Sequence, residues 1–155
     1  MEKPWLNTNI IILSHIINQT HKQFWGEYLI NPQNSAEEIS KQLYSSPYVV
    51  LAHSHVADPL FIYANQCAQD LWGYSWQEFI GLPSRLSAGS ENRASREDFL
   101  NEVALKGFAN NYTGIRVAKD GSLFKIKNTS LWNLYAEDSR RIGQAAVFKK
   151  WEFLE

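Results

Sequence analysis

The sequence predicts an α+β domain: a five-stranded antiparallel sheet with helices on one face, preceded by two N-terminal helices. Three observations carry that expectation. Apolar residues recur at helical steps over residues 8–30 and again after Ser35, the pattern turns to short β-rich runs from Tyr48, and three longer strand-like runs follow Gly107. Two strands, a helical stretch and three strands fit one antiparallel sheet with helices packed on it. A chain of 155 residues with 45% hydrophobic and 20% charged content can bury a core without disulfides.

The first helix is expected over residues 8–30, where Leu13, Ile16, Ile17, Phe24 and Tyr28 recur at three-, four- and seven-residue steps. Thr8 or Asn9 can cap it and Asn31-Pro32 stops it. Ser35 with Glu38 makes a capping box for a second, shorter helix carrying Ile39 and Leu43. These two helices form an N-terminal extension over residues 1–46, expected to pack on the sheet of a core spanning residues 47–155.

In the core, residues 48–52 and 60–63 read as strands joined through an Asp58-Pro59 turn. Ala64 to Ala68 is a small-residue helix start, and Trp72-Gly73-Tyr74-Ser75 is a turn. Ser75 and Glu78 form a capping box for one helical turn ending at Gly81. Ser90 can cap a longer helix with Phe99, Leu100 and Val103 on one face, closed by Gly107. Strands follow at 111–118, 123–135 and 142–151, joined by an Asp120-Gly121 hairpin turn and a looser connection at 137–141. No internal repeat or low-complexity tract interrupts this order.

Several function classes are argued against at once. The apolar run Ile10 to Leu13 is four residues long, against the roughly 20 a bilayer span requires. No signal-peptide pattern is present, so a soluble protein is expected. With 15 basic and 16 acidic residues there is no bias toward nucleic acid, and Arg140, Arg141, Lys149 and Lys150 read as a solvated hairpin rim. The lone Cys67 precludes an intrachain disulfide and suits a cytoplasmic protein. His53 and His55 share a strand face but lack an obvious third metal ligand. No serine-histidine-acid order or carboxylate pair stands in a catalytic context, so no enzyme is expected.

Five runs together carry a resemblance. They are Asp58-Pro59-Leu60-Phe61-Ile62-Tyr63-Ala64-Asn65, Leu82-Pro83-Ser84-Arg85-Leu86-Ser87-Ala88, Tyr112-Thr113-Gly114-Ile115-Arg116, Leu131-Trp132-Asn133-Leu134 and Gly143-Gln144-Ala145-Ala146. With the helix order they resemble the MEKHLA family of PAS-related domains. The resemblance spans nearly the whole chain and implies a PAS-like sensor or dimer-control module. Family members occur as stand-alone bacterial proteins and as the last domain of plant homeodomain-leucine zipper transcription factors.

The chain is also similar, more distantly, to the flavin-binding LOV branch of PAS domains. Ser84 stands where the LOV cysteine would be, and a hydroxyl lacks the nucleophilicity of a thiolate. Arg85 matches the arginine after that cysteine, a residue suited to a phosphate or carboxylate. Asn133 matches a strand asparagine that faces the flavin, while Arg116 replaces another pocket asparagine. Where LOV domains carry a glutamine this chain has Ala145, and alternation puts Gln144 on the opposite face. These departures argue against flavin. Haem is argued against too, because haem-binding PAS domains use a histidine on the long helix and residues 91–106 contain none.

The candidate ligand-binding residues are therefore Ser84, Arg85, Arg116 and Asn133, with the cofactor unknown. An inward Arg116 needs a partner, either an internal carboxylate such as Asp98 or Asp70, the commoner solution, or an anionic ligand. The resulting expectation is a non-enzymatic sensory or ligand-binding domain taking a small anionic or polar molecule between sheet and helices. Its rival is an interaction or dimerisation module with a filled core. Alternation along 123–135 turns Trp132 and Leu134 outward, where the first helix with Phe24 and Trp25 can cover them. Because Ile10 to Leu13 and Phe24-Trp25 make that helix apolar on more than one side, a homodimer is expected.

Overall fold

The structure, a computed structural model, describes residues 2–89 and 92–155. A 3-10 turn at Pro4–Leu6 leads into α1 (Thr8–Trp25) and α2 (Ala36–Tyr44). The core follows as β1 (Val49–Ser54), β2 (Phe61–Ala64), α3 (Gln66–Trp72), α4 (Trp76–Phe79), a 3-10 turn at Ser84–Ser87, and α5 (Arg93–Lys106). Four strands complete it: β3 (Phe108–Val117), β4 (Leu123–Tyr135), β5 (Arg141–Phe148) and β6 (Lys150–Phe153). The main sheet runs β2-β1-β5-β4-β3 with all pairings antiparallel, and β6 adds to β4 off that path.

Two element boundaries differ from expectation, each for a local reason. Helix α1 ends at Trp25, because Gly26 takes a left-handed φ of 79° and donates its N–H to the Lys22 carbonyl. Its cap is Asn7, whose side chain accepts from the Asn9 N–H. The residues beyond fold back instead of continuing the helix: Asn18 exchanges two 2.9 Å bonds with the Ile30 backbone. The last expected strand is broken into β5 and β6. Strand β4 has 13 residues and β5 only 8, so the first half of β4 needs another partner, and β6 fills it through Phe124↔Phe153 to Lys127↔Lys150. Asn128, at φ 51°, lies where β4 changes partners. The expected Ser90 cap of α5 lies outside the described residues.

Most other signals act as they read. Ser75 and Glu78 form a full capping box on α4, whereas the box expected at Ser35 is only half made: Ser35 accepts from the Glu38 N–H, and the Glu38 carboxylate accepts from Gln42 instead. Asn65 is buried and does the work of several turns: its Oδ1 accepts from Val50 and Ala68 N–H, and its Nδ2 donates to Leu43 and Tyr48 carbonyls. One side chain thus ties α2, β1 and α3 together.

The sheet is covered on both faces. On one, Trp72, Phe79, Phe124 and Phe148 form a core with Val49, Leu51 and Phe61 under α3 and α4. On the other, Leu13, Ile16 and Ile17 of α1 and Leu43 of α2 pack against Tyr63, Trp132, Leu134 and Val147. Trp132 and Leu134 have no exposed surface. The Trp132 indole N–H donates to Thr20 Oγ1 at 2.7 Å, and Trp25 meets the Trp132 ring edge-on at 5.4 Å. The outward pair Trp132 and Leu134 is thus covered, as expected, by the chain's own first helix.

Candidate functional site

A cavity of about 40 Å³ lies between the sheet and α5, above the ~10–15 Å³ that one water needs. Its walls are mostly apolar, from Leu51, Phe61, Trp72, Ile126, Leu131 and Phe148. Set among them are Arg96, Arg116, His53, Tyr112, Thr129 and Gln144, and no carboxylate among the described residues. A larger surface groove of about 520 Å³ abuts it between α5 and the loop joining β1 and β2. The two spaces share His53, Arg96, Leu100 and Gln144 in their walls.

Arg116 enters from β3 and is 6% exposed. Its Nη1 donates to the Ile115 carbonyl at 2.9 Å and its Nη2 to the Tyr112 hydroxyl at 3.3 Å, with the guanidinium 5.5 Å from the Tyr112 ring centre. Tyr112 stacks in turn on Phe99 of α5 at 3.9 Å. These acceptors are neutral. The expected internal carboxylate is absent among the described residues: Asp70 instead accepts from Gln66, and Asp98 makes no ion pair with Arg116. The spacing of α5 explains this, since Arg96, Leu100 and Val103 form its inward stripe and Asp98 lies off it.

Arg96 is the second cation, 8% exposed and without a hydrogen-bond or ion-pair partner among the described residues. Burial, with Arg116 nearby, pushes its guanidinium well below the usual arginine range, to about 9. Burial and the positive charge of Arg96 also push the His53 imidazole down to about 4. At neutral pH Arg96 is therefore charged and His53 neutral.

The other candidates divide between the two spaces. Ser84 is buried in the wall of the groove, and its hydroxyl has no partner among the described residues. Arg85 also lines the groove but points to solvent, paired with Asp58 at 3.2 Å. Asn133 is 1% exposed and is not in either wall. Its Nδ2 donates to the Ala104 carbonyl and the Tyr135 hydroxyl, and its Oδ1 accepts from Gln144 Nε2 at 3.2 Å.

Gln144 corrects the expectation that placed it on the outer face. Asn133 and Gln144 are paired across β4 and β5, and paired residues share a face, so both point inward. Ala145 pairs with Trp132 and joins the outer core. Counting from Gly143 alone could not find this, because the strand register sets the face. Of seven buried side-chain nitrogen or oxygen atoms without a partner among the described residues, six belong to residues around the two spaces: His53, Trp72, Ser84, Thr129, Arg141 and Gln144. Buried polar atoms are normally paired, so this concentration singles the region out as the candidate site.

Flavin does not fit this arrangement. A cavity of about 40 Å³ has no room for three fused rings, and Arg116 stands in place of a neutral amide. Among the described residues no cluster of three metal-ligating side chains occurs.

The fold is that of PAS and LOV domains. It superposes on a light-oxygen-voltage domain whose mechanism was probed with a flavin analogue, with TM-score 0.60, 18% identity, and coverage of 76% of this chain and 85% of that one. The PAS domain of a protein from Colwellia psychrerythraea matches with TM-score 0.61, 17% identity, and coverage of 76% and 95%. An RNA-binding light-oxygen-voltage receptor matches with TM-score 0.64, 15% identity, and coverage of 77% of this chain and 34% of that one. The model of the MEKHLA domain family matches residues 11–153, and the chain belongs to that family. No curated protein matches it.

Proposed function

We propose that this MEKHLA domain is a non-enzymatic sensory module whose interior cavity binds a small anion, with Arg116 and Arg96 supplying the charge. The observation that carries the reading is two buried arginines facing one cavity with no carboxylate among the described residues of its wall. A buried guanidinium without an anion loses hydration that neutral acceptors do not replace. A bound carboxylate can accept two parallel hydrogen bonds from such a fork. Ser84 and Arg85 belong to the groove, where they line the approach to the cavity. Asn133 acts through Gln144, whose amide it orients.

Native mass spectrometry and thermal melts with acetate or propionate test this. A retained small anion, or a melting temperature that rises with carboxylate and not with added chloride, is expected, and Arg116→Met should abolish the shift. A purified chain with no retained molecule and no response to any carboxylate overturns it and favours the interaction module with a filled core.

Assembly and location complete the proposal. No helix among the described residues is long and apolar enough to cross a membrane, and a single unpaired Cys67 suits a reducing cytoplasm. With the sheet covered, a homodimer would form through the outward side of the N-terminal segment, where Leu6 and Ile12 are more than half exposed. Light scattering should then report a dimer that Ile12→Glu dissociates; a monomer at high concentration overturns the dimer without touching the ligand reading.

A further inference from the structure

Two hydrogen-bond acceptors line the same cavity as the two arginines, and the surrounding network fixes their identity. Asn133 Nδ2 donates to the Ala104 carbonyl at 3.1 Å, so Asn133 Oδ1 is the atom that meets Gln144. Gln144 Nε2 donates both to that oxygen and to the Leu100 carbonyl at 3.1 Å. Turning the Gln144 amide over would set its oxygen against two acceptors. Gln144 Oε1 is thereby left without a partner among the described residues.

His53 is fixed by the same logic. Its Nδ1 lies 3.2 Å from the Ser54 carbonyl, which can only accept, so Nδ1 carries the hydrogen. In the neutral ring Nε2 is then a bare lone pair, and it too has no partner among the described residues. Burial and Arg96 keep the ring neutral at pH 7, although Gln144 stands within hydrogen-bond reach and would accept from a protonated ring; with the hydrogen on Nδ1 the two lone pairs face each other unmet. Two lone pairs thus sit near one another in a space whose charged donors are Arg96 and Arg116. An anion alone would satisfy the arginines and leave both acceptors bare.

Resting on the anionic reading above, we infer that the ligand carries a donor beside its carboxylate and that this donor is a hydroxyl, making it a small 2-hydroxy acid. The carboxylate is directed to Arg96 and Arg116, and the hydroxyl to Gln144 Oε1 or His53 Nε2. An ammonium has hydrogens for both acceptors, but it would sit in the field of two guanidinium groups with no carboxylate among the described residues of the wall to offset them. A hydroxyl donates without adding positive charge.

Three near-isosteric probes separate the possibilities: lactate, propionate and alanine, titrated calorimetrically into the intact chain at pH 7.5. Lactate should bind about tenfold or more tightly than propionate, the cost of leaving buried acceptors unmet, and alanine should bind more weakly than lactate. Equal affinities for lactate and propionate overturn the donor while leaving the anionic reading intact. Tighter binding of alanine overturns the hydroxyl, and failure of all three overturns both readings. In Gln144→Met and in His53→Phe, each shown to be folded by a cooperative thermal melt, the ratio of lactate to propionate affinity should fall in at least one; a ratio undiminished in both overturns the hydroxyl assignment.

Discussion

Arg96→Met should make the ligand-free protein more stable. The wild-type Arg96 side chain is 8% exposed, has no hydrogen-bond or ion-pair partner among the described residues, and its guanidinium is pushed well below the usual range, to about 9. At 1.36 kcal/mol per unit, that shift sets an upper limit of about 5 kcal/mol against the charged form at neutral pH. The sign follows directly: a base whose folded value is lowered is disfavoured in the folded state at every pH below about 9, and the penalty fades only above it. Methionine keeps an unbranched stem against Leu100 and removes the charge. Replacing buried charge by apolar groups gains about 1–4 kcal/mol in general, so a gain of about 2 kcal/mol is expected. For a chain of 155 residues that is a rise of about 6 °C in Tm. Differential scanning fluorimetry on intrinsic tryptophan emission, at pH 6 and pH 8, would read it with nearly equal gain at both. Carboxylate-induced stabilisation should disappear in the same variant. In Arg96→Met with Arg116→Met, the second substitution should gain less than it does alone, because the repulsion between the two is already relieved. A fall in Tm for Arg96→Met in ligand-free protein would refute the reasoning, since it would mean that the guanidinium is held by favourable contacts.

Three further outcomes follow from the same structure. Wild-type stability should decline as pH falls from about 6.5 to about 4, because over that window the unfolded chain protonates His53 and the folded chain does not; urea titrations should show His53→Phe with a flatter profile. Gly143→Ala should destabilise by more than about 3 kcal/mol, since a Cβ there would collide with the His53 backbone carbonyl across the β1–β5 pairing; a melt within a degree of wild type would contradict that register. Thr20→Val keeps the shape of α1 but strands the buried Trp132 indole N–H, which should cost about 1–3 kcal/mol in chemical denaturation.

Much of the architecture was legible because its determinants are local. The Ser75–Glu78 box, the Ser35 cap and the Gly107 stop act within four residues of where they stand, and each holds in the structure. Boundaries were misread where a local signal lost to a weaker periodic one. Apolar Tyr28 and Ile30 extend the helical pattern past Gly26, but a single left-handed residue ends α1 regardless. The break between β5 and β6 could not be read from the run 142–151, because alternation describes one strand and the break is imposed by the length of β4 beside it.

The site was legible in the same partial way. Arg116 was found because it could be counted back from the Gly121 turn, and it lines the cavity. Arg96 was overlooked although its signal was present: Arg96, Leu100 and Val103 sit at helical steps of four and three, so the stripe that identified an apolar face also carried a cation into it. A charged residue in an apolar stripe is the more informative departure, because burying it has to be compensated. Gln144 was invisible for a different reason, since its face depends on pairing with Asn133 in another strand. What the chain places together, two arginines from α5 and β3 and two acceptors from β1 and β5, comes from four elements spread over 92 positions from His53 to Gln144. No spacing rule joins them. Their common property is physical: each is a polar group held inside an apolar wall, and a small molecule bearing a carboxylate and a hydroxyl would offer the two cations an anion and one of the two acceptors a hydrogen.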